Sequence, residues 1–358
     1  MSEAAAPISG LKRFSALTCC YFAAIGLFNP YAPLWYQSLG FSTLVIGSIA
    51  SLQSWTRVFA PYAWSWAGDH SGRRVELIRA AAAGAVLCAL GLLLVQALDG
   101  VQGTARVVAV AAMAALLFVA NGGVVPLFEA QLAQLLNRAD GSMDTRRYGR
   151  VRVWGSVGFI VAVSLFGVLL ERGGIAVFPA FVALMNVLLL LAALRLPATR
   201  EDAVHSQAAP PVLPLLRRPE VAWFFFSIFC VVLAHTALYA FFSLYLVELG
   251  YGKSAVGGLW AVSVAVEIVF FWTQGRWFAR LAPHQWLQVV AVATVLRFAA
   301  TAVGGASPTV LVLAQLTHAI TFAAQHTACI ALITRYFPGR LRGRGQALYS
   351  VLGRGTPC

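Results

Sequence analysis

Charge is what this chain has least of: acidic residues number 13, and all charged residues together make up 11% of its 358 positions. A water-soluble chain carries about 25% charged residues, so an aqueous globular surface is excluded and a lipid-facing one is implied. Histidine is sparse too, at six residues, and the six cysteines (Cys19, Cys20, Cys88, Cys230, Cys329, Cys358) are scattered, mostly within apolar runs. Neither a metal spacing nor a disulfide framework results, and the thiols read as small buried hydrophobes. There is no phosphate loop, no nucleophile with a base at readable spacing and no His/Asp-rich cluster, so no enzyme, metal or cofactor is expected. Met1 to Gly10 lacks the basic-then-apolar pattern of a cleaved secretory signal.

Apolar length is what the chain does have. Hydrophobic residues make up 60% of it and its mean hydropathy is +0.78. A bilayer crossing takes about 20 predominantly apolar residues. Such runs stand near 14–37, 41–66, 75–97, 105–136, 148–170, 174–194, 220–247, 254–278, 285–304 and 309–336, ten complete spans. An eleventh begins near Gly345 and is cut short by Gly353, Arg354, Gly355, Thr356, Pro357 and Cys358. The expectation is a chain truncated or frame-shifted at its end, which folds poorly or is inactive unless it pairs with another chain.

The net charge of +13 invites a nucleic-acid reading. The distribution argues against it. Nineteen Lys and Arg fall in bursts on alternate connections (Lys12, Arg13; Arg73, Arg74, Arg79; Arg138 to Arg150; Arg195 to Arg218; Arg276, Arg280; Arg335 to Arg344), against three, Arg106, Arg172 and Lys253, on the others. That asymmetry predicts a cytoplasmic N-terminus and an inner, plasma-membrane location.

The longest polar connection, 195–219, is rich in Pro, Arg and Ala and reads as a cytoplasmic linker. It separates an N-terminal helical bundle, 1–194, from a C-terminal one, 220–358. A shift of 210 residues supports the division: it lays Leu34-Trp35-Tyr36-Gln37-Ser38-Leu39-Gly40-Phe41 on Leu244-Tyr245-Leu246-Val247-Glu248-Leu249-Gly250-Tyr251, and Arg57 on Glu267. Two related halves of helices, with a solute site between them near the midplane, make a transporter architecture.

Ionisable groups inside spans are costly and mark function by default. Here they are Arg57, Glu129, Arg152, His235, Glu267, Arg297, His318 and His326. Glu129 and Arg152 lie toward span ends, where snorkelling is an alternative. Glu267 and Arg297 lie too deep for that, leaving a fixed ion pair as the competing reading. On the tenth span His318, Thr321, Phe322, Gln325 and His326 recur at helical spacing and share one face, a candidate proton relay or solute wall. A low-dielectric cavity favours the protonated form of a carboxylate such as Glu267. His235, Tyr239, Phe242, Tyr245, Trp260 and Phe271 form either an aromatic pocket for a flat solute or ordinary packing.

The loop Gly68-Asp69-His70-Ser71-Gly72-Arg73-Arg74 resembles the signature loop of the major facilitator superfamily, with Ser65 where a Gly is usual and His70 where a basic residue is usual. The resemblance implies two six-helix bundles and a gate latched by Asp69, Arg73 and Arg74. The stretch Tyr148-Gly149-Arg150-Val151-Arg152-Val153-Trp154-Gly155-Ser156-Val157-Gly158-Phe159, with His235 to Gly250, the Glu267 segment and Leu316-Thr317-His318-Ala319, resembles the branch that includes lactose permease and the phenylpropionate permeases. It runs from about residue 14 to 350. It implies that Glu129 and Arg152 bind substrate and that Glu267, Arg297 and His318 match the charged residues of spans eight to ten. Thr321 stands where lactose permease has a protonatable Glu, so coupling passes to Glu267 or the histidines.

The function expected is therefore proton-coupled symport of a small organic solute by alternating access, with an aromatic carboxylate foremost. Glu129, Arg152, His235, Tyr239 and Arg297 would bind the solute, and Glu267 with His318 would carry the proton. The partners expected are solute, proton and lipid bilayer, with no nucleic acid and with the chain acting as a monomer. Efflux of amphipathic compounds, uptake of a sugar or nucleoside, and a non-transporting membrane sensor remain the alternatives.

Overall fold

The computed structural model describes residues 8–98, 100, 102–136, 144–197, 213–337, 345 and 348–349. Most of the expected linker and of the eleventh span, and Arg138, Arg200, Arg340, Arg342 and Arg344, lie outside the described residues. The chain divides into two compact units, Met1–His205 and Ser206–Cys358. Among the described residues there is no strand, as an all-α membrane protein requires: in hydrocarbon, a helix satisfies its own backbone groups.

The first unit holds α1 (Ile8–Ser38), α2 (Thr43–Ser71), α3 (Arg74–Ala97), α4 (Gly103–Asn121), α5 (Val124–Leu135), α6 (Thr145–Gly173) and α7 (Phe178–Leu194). The expected run 105–136 is two helices, α4 and α5. The break is Gly122-Gly123, and a Cβ at Gly123 would strike the ring of Trp64, whose Nε1 donates to the Val119 carbonyl at 2.9 Å. The two glycines let α2 come close to the α4–α5 joint. α1 packs chiefly on α6, again through absent side chains. A Cβ at Gly158 would meet the Cys19 carbonyl, and one at Gly26 would stand 2.8 Å from the Phe159 carbonyl. Small residues that bring backbones together are the usual currency of helix contact in lipid. Ile78, Ala82, Ala85, Ala89 and Leu92 are fully buried along α3, which lies against α4 and α7.

The second unit holds a single turn, α8 (Leu213–Leu216), then α9 (Pro219–Glu248), α10 (Lys253–Thr273), α11 (Pro283–Gly304), α12 (Pro308–Leu316) and α13 (Gln325–Tyr336). A π-helical segment, Ala319–Ala324, joins the last two. Prolines open α9, α11 and α12, where a missing N–H costs nothing. At one end Trp286 stacks on Phe278, with centroids 5.1 Å apart, and its Nε1 donates to the Phe278 carbonyl at 2.8 Å.

The weak sequence repeat has a backbone counterpart. Gly40 ends α1 with φ +81° and Gly250 follows α9 with φ +90°. Gly40 N donates to Gln37 O and Phe41 N to Tyr36 O; Gly250 N donates to Val247 O and Tyr251 N to Leu246 O. These are the same paired hydrogen bonds, which close a helix where only glycine adopts the left-handed conformation without strain.

Nine helical stretches among the described residues are long and apolar enough to cross a membrane. The run 41–66 forms α2, whose 29 residues suffice in length; Gln53, Thr56 and Arg57 make it less apolar than the others. Trp55, Tyr62, Trp223, Trp272 and Val303 are exposed, and acyl chains accept such surface where water would not.

Candidate functional site

The second unit gathers its buried polar groups around Arg297. This side chain leaves the middle of α11 and is 2% exposed. Its Nη2 donates to Gln315 Oε1 at 2.8 Å, and its Nη1 to His318 Nδ1 at 3.0 Å and Thr321 Oγ1 at 2.9 Å. Ser263 Oγ donates to the same Gln315 oxygen at 2.5 Å. Two donors on one atom set the orientation of the Gln315 amide.

The hydrogen bonds also settle the state of His318. Guanidinium has no acceptor, so Nδ1 must offer a lone pair, and a neutral ring carries its hydrogen on Nε2. That nitrogen lies 3.8 Å from Glu267 Oε2. Glu267, Arg297 and His318 are thus brought together in the order carboxylate, imidazole, guanidinium. The ring of His318 stacks on Phe322, with centroids 5.1 Å apart.

His235 and Tyr239, one turn apart on α9, lie beside this cluster. His235 meets the Phe298 ring edge-on at 5.3 Å, and the guanidinium carbon of Arg297 stands 6.0 Å from the same ring. Tyr239 stacks on Trp260 at 5.4 Å, and Phe242 meets that indole edge-on at 6.0 Å. Tyr245 does something else: its hydroxyl donates to the Thr301 carbonyl at 2.9 Å and ties α9 to α11.

His326 makes contacts that His318 does not. It hydrogen-bonds through Nδ1 with the Tyr349 hydroxyl at 3.0 Å and meets Phe271 edge-on. The reason is the π-helical segment between them. Each i→i+5 turn adds a residue, so the regular spacing that put His318 and His326 on one face does not hold across it. Gln315 and Ser263 were not singled out from the sequence: neither is ionisable, and neither falls within the face counted from His318 to His326. Their signal was position: Gln315 stands three residues before His318 and Ser263 four before Glu267, on the same helix faces.

In the first unit, Arg152 lays its guanidinium carbon 4.3 Å over the Phe22 ring, a cation–π contact. The adjacent Tyr21 lies within electrostatic reach of Arg57, Arg152 and Glu129, so the charged groups of α2, α5 and α6 converge on one side of α1. At the end of α2, Arg74 Nη2 pairs with Asp69 Oδ1 at 2.8 Å and Nη1 donates to Gln134 Oε1 at 3.2 Å. Arg73 faces Glu76 instead, at 3.5 Å. Arg79, which the sequence showed only as one of a basic burst, donates to the carbonyls of Ala193, Leu194 and Leu196 and closes the end of α7.

Membrane-length helices in two units, with a charged cluster in each, buried in the second and half-buried in the first, define a multi-pass membrane protein of transporter type. The model of the MFS_1 like family matches residues 11–357, and the chain belongs to that family. It is 28% identical over 340 residues to the probable 3-phenylpropionic acid transporter of Escherichia coli (strain K12), covering 94% of this chain and 85% of that one. It is 27% identical over 352 residues to the maltose permease of Geobacillus stearothermophilus, covering 93% and 81%. A mutant of the nucleoside transporter NupG has the same fold, with a TM-score of 0.82 at 17% identity over 96% of this chain and 88% of that one.

Proposed function

We propose that this chain is a secondary active transporter that takes up a small organic anion with a proton by alternating access. An arylalkanoic carboxylate such as 3-phenylpropionate is the proposed solute. The observation that carries this reading is Arg297. It is a deeply buried cation whose hydrogen-bond acceptors, Gln315, His318 and Thr321, are all neutral. A charge in such surroundings favours an anionic ligand, and guanidinium matches a carboxylate in shape. The aromatic groups of Tyr239, Phe242 and Trp260 beside it suit a flat apolar body. The similarity to a probable 3-phenylpropionic acid transporter supports the same solute class.

Proton coupling follows from a competition at one atom. His318 Nδ1 cannot both accept from Arg297 and carry a proton. An anion that draws Arg297 toward itself frees Nδ1, and the protonated imidazole then pairs with Glu267 across the 3.8 Å gap. Anion and proton thereby favour each other's binding. Glu129 and Arg152 are proposed as further solute contacts, and Asp69 with Arg74 as the gate latch, with Arg73 in support. The uneven basic residues support an inner-membrane location with a cytoplasmic N-terminus, and the chain is proposed to act as a monomer.

The test is uptake of labelled 3-phenylpropionate by right-side-out vesicles with and without an imposed proton gradient. Gradient-driven accumulation that collapses with a protonophore is expected. Uptake that ignores the gradient overturns the symport, and unchanged accumulation by Glu267→Gln removes that carboxylate from the mechanism. Outward proton-driven movement in inverted vesicles would instead establish efflux.

A further inference from the structure

Three buried polar atoms near one another in the second unit have no hydrogen-bond partner among the described residues: Arg297 Nε, Gln315 Nε2 and His235 Nε2. Their side chains are all more than nine-tenths buried. Buried polar groups are nearly always satisfied, so three together point to a ligand, and their chemistry says which.

Arg297 Nε and Gln315 Nε2 can only donate. His235 is the opposite. Its Nδ1 faces the Val231 carbonyl at 2.8 Å, and a carbonyl only accepts, so the ring hydrogen sits on Nδ1. Nε2 of the neutral ring then presents a lone pair. Arg297 and His235 pack against the same Phe298 ring, so donors and acceptor belong to one neighbourhood. A carboxylate answers the two donors and has nothing to offer the acceptor.

Building on the anion-transport reading above, we propose that the solute carries a second polar group, a hydroxyl that donates to His235 Nε2 while the carboxylate sits on Arg297 and Gln315. The substrate class is ring-hydroxylated arylalkanoic acids, and His235 is the residue that selects the hydroxyl. An acid lacking the hydroxyl leaves that nitrogen buried and unpaired, and sites built this way discriminate strongly against such analogues.

The experiment measures inhibition of labelled 3-phenylpropionate uptake by unlabelled 3-phenylpropionate and by the three isomers of its ring-hydroxylated derivative. At least one isomer is expected to compete at about tenfold lower concentration than the parent acid. His235→Phe is expected to abolish that ratio, whereas His235→Gln, whose amide oxygen can accept, keeps part of it. Equal competition by all four acids in the wild type overturns the proposal, as does a preference that survives His235→Phe. If His235→Phe does not reach the membrane, the wild-type ratio and His235→Gln decide. Uptake of the parent acid without a hydroxyl preference removes this inference and leaves the proposed function standing. Failure of all four acids to interact removes both.

Discussion

Arg297→Lys keeps the buried charge and changes only how it is delivered, which makes it the sharpest probe of the site. Guanidinium presents five N–H groups from three nitrogens; ammonium presents three from one. In the structure, Gln315 at 2.8 Å, Thr321 at 2.9 Å and His318 at 3.0 Å already take three hydrogen bonds from Arg297. Lysine can serve those acceptors only by committing every hydrogen it has. The solute's carboxylate would then gain only the one hydrogen released from His318, where the guanidinium also offers its Nε–H. One charge-assisted hydrogen bond is worth about 1.5–3 kcal/mol, so the apparent KM for 3-phenylpropionate uptake should rise roughly ten- to hundredfold. The assay is initial uptake rate against concentration, normalised to protein in the membrane. Thermal unfolding of the purified variant, followed by tryptophan fluorescence, checks that the fold is kept. A folded Lys variant whose KM stays within about twofold of wild type, whatever its maximal rate, would refute the role given to Arg297.

Thr321→Glu should raise the KM about tenfold or more, because it sets a carboxylate at the position whose hydroxyl now accepts from Arg297 Nη1 at 2.9 Å and so supplies internally the anion that the solute would bring; competition by 3-phenylpropionate measures it. Gly158→Ala forces a methyl group onto the Cys19 carbonyl, a backbone atom that cannot swing aside. It should cost about 1–3 kcal/mol and lower the unfolding temperature, while Gly149→Ala, with open space at its Cβ, leaves it unchanged. Asp69→Asn removes the Asp69–Arg74 pair, but Asp69 is half exposed and Arg74 keeps Gln134; unfolding should shift by about 1 kcal/mol or less, so a large loss of transport in a stable variant would report gating and not folding.

The helices were legible because the bilayer dictates their length and hydropathy reports it directly. Their interruptions were not, because a break between two apolar segments leaves the average unchanged. Gly122-Gly123 was the available signal within the run 105–136, and a Cβ would strike Trp64 at Gly123 and crowd Ala60 at Gly122. The π-helical segment had no such signal: Ala319 to Ala324 reads as ordinary helix, yet it changes the register between His318 and His326. The triad of Glu267, Arg297 and His318 could be anticipated because burying an ionisable group is expensive and therefore conspicuous. Gln315 and Ser263 cost less to bury, and their importance is visible only once Oε1 of Gln315 is seen to take both Arg297 and Ser263. Tyr245 stayed open between pocket wall and packing for the converse reason, since an aromatic residue among aromatics reads either way until its hydroxyl is found on the Thr301 carbonyl.

The internal repeat shows how self-comparison can be turned to function. The joints at Gly40 and Gly250 match in φ, in hydrogen bonds and in the aromatic residue that follows each. They could be preserved in both copies because they depend on a missing Cβ and on backbone groups that any sequence supplies. Charged positions are under no such symmetry. The same register that superposes the glycines sets Arg57 against Glu267, a cation within reach of Tyr21 in one unit and a carboxylate facing His318 in the other. A buried charge is tolerated only where something compensates it, so opposite signs at one register mean that the two units answer to different partners. Where two halves match in this way, agreement between them locates the scaffold. Disagreement in charge marks where the halves differ in chemistry, and here it marks the neighbourhoods of Arg57 and Glu267.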